Sequence, residues 1–415
     1  MTSDVERVVA AAFREDWSWL VAMLIRLTND WDLAEDCAQE AFAQALSSWR
    51  ADGPPERRRA WLATTARNRA VDHIRRERVG SNKLRMLVVT EGQEDEVDYD
   101  KITTGIPDDR LRLIYTCCHP SLGLEAQVCL SLRTLCGLTT AEIARTFFVS
   151  ESTMARRISR TKEKIAAAGI AYQVPPARAL PARTNAVLAV IYLLFNEGYA
   201  AASGPDLIRY DLCGNAVKFS RMVADLMHDN PESIGLYALL LLLHARSPAR
   251  IDAHGVLVPL EDQDRSAWDA AMVEEGVAAV KRALEFERVG PYQLQALIAA
   301  CHATAPTAAE TDWMQIVALY DDLYALTPTP TVWLNRAVAV GMRDGYQAGL
   351  DSLDKLATPR RQDEHPLVPA VRADLLRRLG RLREAAEQYR QALTQTQNEG
   401  ERAYLLRRQQ ACEEA

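Results

Sequence analysis

The sequence of 415 residues predicts an all-α fold, with two small helical domains joined by a linker and followed by a longer helical extension. Apolar residues recur at helical spacing along most of the chain. Capping residues precede these stretches, and proline- or glycine-rich breaks such as Gly53-Pro54-Pro55 separate them. We expect domains at 5–79 and 108–170, an acidic linker at 80–107, a helical extension at 175–289 and helical repeats at 290–411.

Charge is distributed unevenly, although the net charge is only −7. The segment Glu56–Arg85 carries 10 basic and 3 acidic side chains, whereas Met86–Asp109 carries 1 and 8. The local field, more than the total charge, determines whether a surface attracts phosphate groups. The net negative charge therefore does not exclude nucleic-acid binding, because the basic block can attract phosphate groups locally.

Several function classes are disfavoured by what the sequence lacks. No basic, apolar leader and no apolar run long enough to span a bilayer occur, so we expect a cytoplasmic protein without a membrane partner. Phosphate-binding glycine loops and the GxSxG and HExxH motifs are missing, so we expect no catalytic residues and no enzyme activity. The eight cysteines are scattered and should stay reduced.

An alternative hypothesis is that the chain is a metal-dependent enzyme with a site at Cys117, Cys118 and His119. Adjacent cysteines lack the two-residue spacing of a zinc knuckle, and no second Cys/His pair follows at zinc-finger spacing. We therefore predict that these side chains pack in the core, with no metal and no cofactor.

The first domain begins with helical sequence over 5–28, followed by an amphipathic helix over Asp32–Trp49. One side of the second helix is acidic and able to form hydrogen bonds; its residues are Glu35, Asp36, Gln39 and Glu40. Such a face is either simply solvated or a docking surface for a basic partner.

A basic helix is predicted next, over Arg57–Arg78. Apolar residues on one side can pack: Trp61, Leu62, Ala66, Ala70 and Ile74. The outward side mixes arginine with asparagine and aspartate, a combination that suits both phosphates and the edges of unpaired bases.

The stretch Leu138–Ile165 predicts two short helices joined by a tight turn. Thr139 and Glu142 have the spacing of a capping box, and Ser150 can cap the second helix. Met154, Ile158 and Ile165 should face inward, which leaves a polar and basic outer face. An α-helix with such a face fits the major groove of DNA, so the pattern predicts a helix-turn-helix.

Taken together, these segments resemble the extracytoplasmic-function (ECF) group of bacterial sigma factors, in the sigma-70 family. The resemblance rests on DLAEDCAQEAFAQA, RAWLATTARNRAVDHIRR and LTTAEIARTFFVSESTMARRISR, which follow the group's order over about residues 5–168. Phe148 departs from the pattern, because the usual motif has glycine at the turn and a bulky residue poorly tolerates positive φ. We therefore expect a reshaped turn.

The resemblance implies a partner for each segment: core RNA polymerase for the acidic face and promoter DNA for the two basic helices. The residues expected to bind the clamp coiled coil of the polymerase are Asp36, Gln39 and Glu40. The residues expected to contact the −10 element are Arg67, Asn68, Asp72 and Arg75. The residues expected to face the −35 element are Ser152, Thr153, Arg156, Arg157 and Arg160.

Beyond residue 175 the chain is predicted to be helical, and a period close to 34 residues appears from about residue 290. The small, turn and aromatic positions of a tetratricopeptide (TPR) repeat are occupied by Ala373, Gly380, Ala385, Tyr389, Ala392 and Leu393. With NEGYA and LEDQDRSAWD, the extension resembles that of the ECF branch carrying a C-terminal TPR region. These two polar clusters are either ligand or partner sites, or helix caps with internal salt bridges.

The sequence thus predicts a promoter-specificity sigma subunit whose TPR-like extension controls or supports activity. Because the extension is acidic, its charge suits an intramolecular contact with the basic Arg57–Arg78 helix. The alternative is a stand-alone helix-turn-helix regulator with a TPR sensor, which would have no use for the Asp32–Trp49 and Trp61–Arg76 segments.

Overall fold

The computed structural model describes residues 4–77, 109–147, 149–170, 172–201, 203–204, 207–355 and 367–414. The chain forms two compact units, Met1–Val190 and Ile191–Ala415. The prediction of an all-α fold is confirmed, since the described residues are overwhelmingly helical. The predicted linker at 80–107 and Phe148 lie outside the described residues.

Seven helices described in the first unit precede the helix that contains the boundary between units. They are α1 (Asp4–Thr28), α2 (Trp31–Asp52), α3 (Arg58–Glu77), α4 (Asp109–Cys117), α5 (Leu124–Thr134), α6 (Thr140–Thr146) and α7 (Glu151–Ala167). The helices predicted over 5–28, Asp32–Trp49 and Arg57–Arg78 are confirmed as α1, α2 and α3.

Helices α1, α2 and α3 pack together because each has an apolar side. In α1, Trp17, Leu20 and Leu24 are buried. The ring of Phe13 lies 4.8 Å from that of Trp17 and 5.0 Å from that of Phe42 in α2. The contact between Phe13 and Phe42 joins the first two helices.

The turn between α5 and α6 comes close to α1 at Gly137. This residue has φ +72°, and a Cβ there would lie 2.9 Å from the Phe13 ring. Glycine therefore meets two requirements at once, a left-handed backbone and a close approach to an aromatic ring. The side chain of Trp17 adds a hydrogen bond from Nε1 to the Thr134 carbonyl, at 3.1 Å.

The second unit consists of helices that pack in sequence order, together with one short parallel strand pair. Helix α8 (Leu180–Tyr199) contains the boundary between the units. The others are α9 (Tyr210–Leu226), α10 (Pro231–Ala245), α11 (Ala270–Leu284), α12 (Pro291–Thr304), α13 (Trp313–Leu326), α14 (Pro330–Asp344), α15 (Tyr346–Asp354), α16 (Val368–Arg378), α17 (Leu382–Leu393) and α18 (Glu399–Glu414), with strands β1 (Ser203–Gly204) and β2 (Gln397–Asn398).

Local sequence explains where many of these helices begin. Asn230 accepts hydrogen bonds from the backbone of α10, and Pro231 follows at its first turn. Asp269 and Asp312 cap α11 and α13 in the same way. Helices α14 and α15 cross closely, since a Cβ on Gly349 would lie only 2.8 Å from the Cα of Gly341.

The pair α16 and α17 contains the positions that fit the repeat pattern. Ala373, Ala385, Tyr389 and Ala392 are buried in one apolar cluster, and Leu393 packs against it. Gly380 connects the two helices with φ +75°, a conformation that glycine adopts at little cost. The repeat-like residues thus form a helical hairpin.

No helix in the described ranges is long and apolar enough to cross a bilayer.

Candidate nucleic-acid and polymerase interfaces

The helix-turn-helix predicted over Leu138–Ile165 is present as α6 and α7. The Thr139 N–H donates to the Glu142 carboxylate at 2.8 Å, and the Glu142 N–H donates to Thr139 Oγ1 at 3.2 Å. Ser150 Oγ accepts from the Thr153 N–H at 3.3 Å. The capping box and the serine cap are therefore confirmed.

Helix α7 has one buried and one exposed side, as predicted. Met154, Ile158 and Ile165 are buried against the rest of the unit. The predicted −35 contacts that are exposed are Ser152, Thr153, Arg156 and Arg160. Because residues four apart lie on one face of a helix, Ser152, Arg156 and Arg160 form a single stripe. That stripe gives the helix a cationic outer face suited to the major groove.

Arg157 differs from the other four predicted contacts because it is half-buried and forms an ion pair with Glu125 of α5. Its guanidinium group therefore has a partner within the protein. A role in DNA binding stays a prediction, and it requires Arg157 to exchange Glu125 for a phosphate or a base.

Helix α3 presents the predicted −10 residues mainly to solvent. Asn68, Asp72 and Arg75 are exposed, and their spacing of four and three residues places them on one face. Arg67 is half-buried at the edge of that face. The opposite side of α3 is anchored by Trp61, whose ring lies 5.6 Å from Trp49 in a T-shaped contact. The polar face is therefore held on a rigid element.

The acidic side of α2 divides into an exposed part and a buried part. Asp36, Gln39 and Glu40 are exposed, so they are accessible to a partner. Glu40 also lies 3.6 Å from the Arg69 guanidinium of α3. Glu35, which the helical pattern placed on the same exposed face, is only 3% exposed. The prediction for Glu35 is therefore wrong.

Glu35 is buried because basic residues of the helix-turn-helix domain pack against it. Its carboxylate lies 2.9 Å from Arg133 Nε and 3.1 Å from Lys162 Nζ. Lys162 Nζ also lies 2.7 Å from the carboxylate of Asp32. Sequence reasoning missed this charged cluster, because its basic members are about 100 or more positions away from its acidic members. One local signal pointed to it: Lys162 follows Ile158 by four residues, so this basic residue lies on the apolar, inward-facing side of α7.

Replacing Lys162 with methionine tests how strongly this cluster holds the two parts of the first unit together. Breaking a buried ion pair typically costs about 3–5 kcal/mol. Since Arg133 remains beside Glu35, we expect the Lys162→Met loss at the lower end of that range. Urea titration of the full chain, followed by tryptophan fluorescence, measures it as an earlier unfolding transition of the first unit.

The matched control is Lys164→Met, since Lys164 is an exposed lysine on the same helix. Its change should stay within about 0.5 kcal/mol. Equal losses in the free energy of unfolding for Lys162→Met and Lys164→Met would show that the buried cluster contributes no more to stability than an exposed lysine does.

The Cys117-Cys118-His119 segment lies at the end of α4. Both cysteines are buried, so the prediction that they pack in the core is confirmed. Cys117 Sγ lies 3.4 Å from Thr134 Oγ1, and burial raises the pKa of the Cys117 thiol to about 12. Within the described part of the chain, no group of three or more His, Cys, Asp and Glu side chains is arranged to hold a metal ion.

Known protein families match three parts of the chain. Residues 13–79, which include most of α1 and all of α2 and α3, match Sigma-70 region 2. Residues 112–165, which extend from α4 to near the end of α7, match Sigma-70, region 4. Residues 183–284 match a family of unknown function, DUF6596. The charged cluster around Glu35 therefore joins region 2 to region 4.

Two relatives differ in how much of the chain they cover. An uncharacterized protein of Rhizobium meliloti (strain 1021) is 41% identical over 384 residues, which are 92% of this chain and 90% of the relative. The probable ECF RNA polymerase sigma factor SigI of Mycobacterium tuberculosis (strain CDC 1551 / Oshkosh) is 29% identical over 174 residues. Those residues are 41% of this chain and 58% of SigI.

Sigma-70 factors are transcription factors and form a non-enzymatic family. The cationic face of α7, the polar face of α3 and the acidic face of α2 all lie within the matched regions. The chain therefore belongs to the same family as the Rhizobium meliloti protein, and it is a sigma factor that carries Sigma-70 regions 2 and 4.

Proposed function

We propose that this chain is an ECF-type promoter-specificity subunit that associates with core RNA polymerase and directs initiation at its own promoters. In this proposal Asp36, Gln39 and Glu40 bind the clamp coiled coil of the polymerase. Helix α3 contacts the −10 element and α7 enters the major groove at the −35 element. The observation that carries the proposal is the exposed polar and cationic stripe of α7, on a helix whose other side is anchored by buried Met154, Ile158 and Ile165.

DNA geometry adds a requirement to this proposal. Elements centred near −10 and −35 are separated by about 85 Å, at 3.4 Å per base pair. In the structure, Lys162 of α7 instead contacts Asp32 and Glu35 at the start of α2. We therefore infer that regions 2 and 4 separate when the protein engages a promoter, and that the charged cluster stabilises the closed arrangement.

The second unit is proposed to control or support that activity. The hairpin α16–α17, with its buried small residues and Gly380 at the turn, supports the TPR-like interpretation of residues 290–411. Stacked helical hairpins provide concave surfaces for binding another molecule. An extension of this kind is suited to altering how the two sigma regions are presented to polymerase.

The test is runoff transcription with purified core polymerase, using the full chain and a chain that ends at Val190, the last residue of the first unit. We expect promoter-dependent transcripts from the full chain and at least a threefold change in yield from the shorter chain. Circular dichroism and a co-purification assay establish that the shorter chain is folded and still binds polymerase. Equal yields from the two chains would contradict the proposed control.

A further inference from the structure

The second unit contains an open cavity of about 1120 Å³ that neither the sigma regions nor the proposed polymerase contacts use. Its wall is formed by residues of α8, α10, α12, α13, α14, α15, α16 and α18, together with connecting segments that include 259–268 and 308–311. Sites for small molecules usually measure about 300–1,000 Å³, so this cavity is slightly larger than most of them. The cavity can therefore hold an organic molecule of substantial size.

Aromatic and aliphatic side chains form much of the wall. They include Tyr192, Leu242, Ile298, Trp313, Ile316 and Tyr320. Burial raises the pKa of the Tyr320 phenol to about 12, so its hydroxyl group stays protonated and can donate a hydrogen bond. A surface of this kind favours a ligand with an apolar or aromatic body.

Two arginines at one part of the wall have no carboxylate partner among the residues that the structure describes. Arg246 Nε donates to the hydroxyl oxygen of Tyr199 at 2.6 Å. Arg265 donates to the backbone carbonyls of His302 and Ala305 and lies 4.7 Å from the centre of the Trp268 ring. Within the described ranges, neither guanidinium lies within 4.0 Å of an Asp or Glu oxygen. The positive charge of this pair is therefore not neutralised by any acidic side chain that the structure describes.

The neighbouring histidine responds to that charge. His302 lines the same cavity, and its ring packs edge-on against Trp313 at 5.3 Å. Burial, together with the nearby Arg246 and Arg265, lowers the pKa of His302 to about 4. His302 is therefore neutral at pH 7, so the positive charge at this part of the wall comes from Arg246 and Arg265.

A third arginine of the wall provides the contrast. Arg378 pairs with Glu261 and lies 2.6 Å from the Asp374 carboxylate. Its charge is compensated, so this part of the wall has little attraction for an anion. The charge along the wall is therefore uneven: Arg246 and Arg265 carry positive charge at one part, whereas Arg378 at another part is neutralised by Glu261 and Asp374.

We propose that this cavity binds a small organic anion, with its acidic group beside Arg246 and Arg265 and its apolar or aromatic body against the Tyr192, Ile298 and Tyr320 wall. Arginine binds carboxylate and phosphate groups through paired hydrogen bonds, so either acidic group satisfies the cationic part. The sequence clusters NEGYA and LEDQDRSAWD contribute Asn196 and Arg265 to the wall. This proposal concerns binding and holds whether or not the extension controls transcription.

The test uses the full chain and the fluorescent probe 8-anilinonaphthalene-1-sulfonate, an aromatic anion, with Nile red as an uncharged aromatic probe. We expect saturable binding of one anionic probe per chain. Arg246→Gln should weaken that binding at least tenfold and change Nile red binding less than twofold. Arg390→Gln is the matched control, because Arg390 pairs with Glu387 and Glu413 and does not line the cavity. Equal probe affinity in folded Arg246→Gln and wild-type protein would overturn the proposal.

Competition on the wild-type chain keeps the proposal testable even if Arg246→Gln fails to fold. Octanoate and octyl phosphate should displace the anionic probe at concentrations at least tenfold lower than octanol does, and the stronger of the two identifies the preferred acidic group. Displacement by octanol at the same concentration would overturn the anion requirement. More effective displacement by a glutamate decapeptide than by octanoate would overturn the small-molecule assignment in favour of an acidic peptide.

Discussion

Asp36→Arg is expected to abolish association of this protein with core RNA polymerase while leaving its fold intact. Asp36 is exposed on α2, so a change there should have little effect on packing. The proposed partner surface is basic, so the substitution replaces an attraction with a like-charge repulsion that costs several kcal/mol. Co-purification of tagged polymerase with the variant should fall at least a hundredfold.

The matched control is Asp52→Arg, which reverses an exposed charge at the end of the same helix. It should co-purify with polymerase as the unchanged chain does, and far-UV circular dichroism should be the same for all three proteins. If Asp36→Arg retains full association, the acidic face of α2 is not the polymerase contact. Association of the unchanged chain with polymerase also separates a sigma subunit from a stand-alone regulator, which has no need of core enzyme.

Arg156→Ala and Arg160→Ala should each weaken promoter binding by the polymerase complex. Both side chains are exposed on the outer stripe of α7. An arginine that contacts a base should contribute about 1–3 kcal/mol, and its loss should relax sequence preference at one position of the −35 element. An arginine that contacts a phosphate should weaken binding to all sequences and flatten the salt dependence.

Electrophoretic mobility shifts across a set of −35 variants and at several salt concentrations distinguish these two roles. The control is Arg7→Ala, which removes an exposed arginine of α1 that pairs with Asp4. Binding by this control should match the unchanged protein. Unaltered affinity and unaltered preference in both α7 variants would remove this helix from the proposed promoter interface.

Arg157 provides a sharper test of the same surface. Because Arg157 pairs with Glu125 of α5, Glu125→Gln should release its guanidinium group. If Arg157 also binds DNA, Glu125→Gln should strengthen promoter binding more in the unchanged chain than in an Arg157→Ala background, because loss of the Glu125 charge alone reduces repulsion of DNA in both. The structure thus separates Arg157 from Arg156 and Arg160, although all three are arginines on one helix.

Local sequence was sufficient to predict helices α1, α2, α3, α6 and α7, the capping box of α6, the serine cap of α7 and the buried positions Met154, Ile158 and Ile165. All of these depend on residues within one or two turns of each other, so helical periodicity and capping chemistry are enough to predict them. The exposed outer stripe of α7 follows from the same periodicity.

Only the tertiary structure determined which charged residues form ion pairs within the protein. Periodicity placed Glu35 and Asp36 on one acidic face, yet packing buries Glu35 against Arg133 and Lys162 and leaves Asp36 exposed. The cavity likewise assembles side chains from Tyr192 to Tyr404, and its uncompensated arginines become visible only once the carboxylates around them are located. A helical pattern specifies which face of a helix is apolar, whereas long-range packing determines what lies against that face, and ion pairing and cavities depend on the latter.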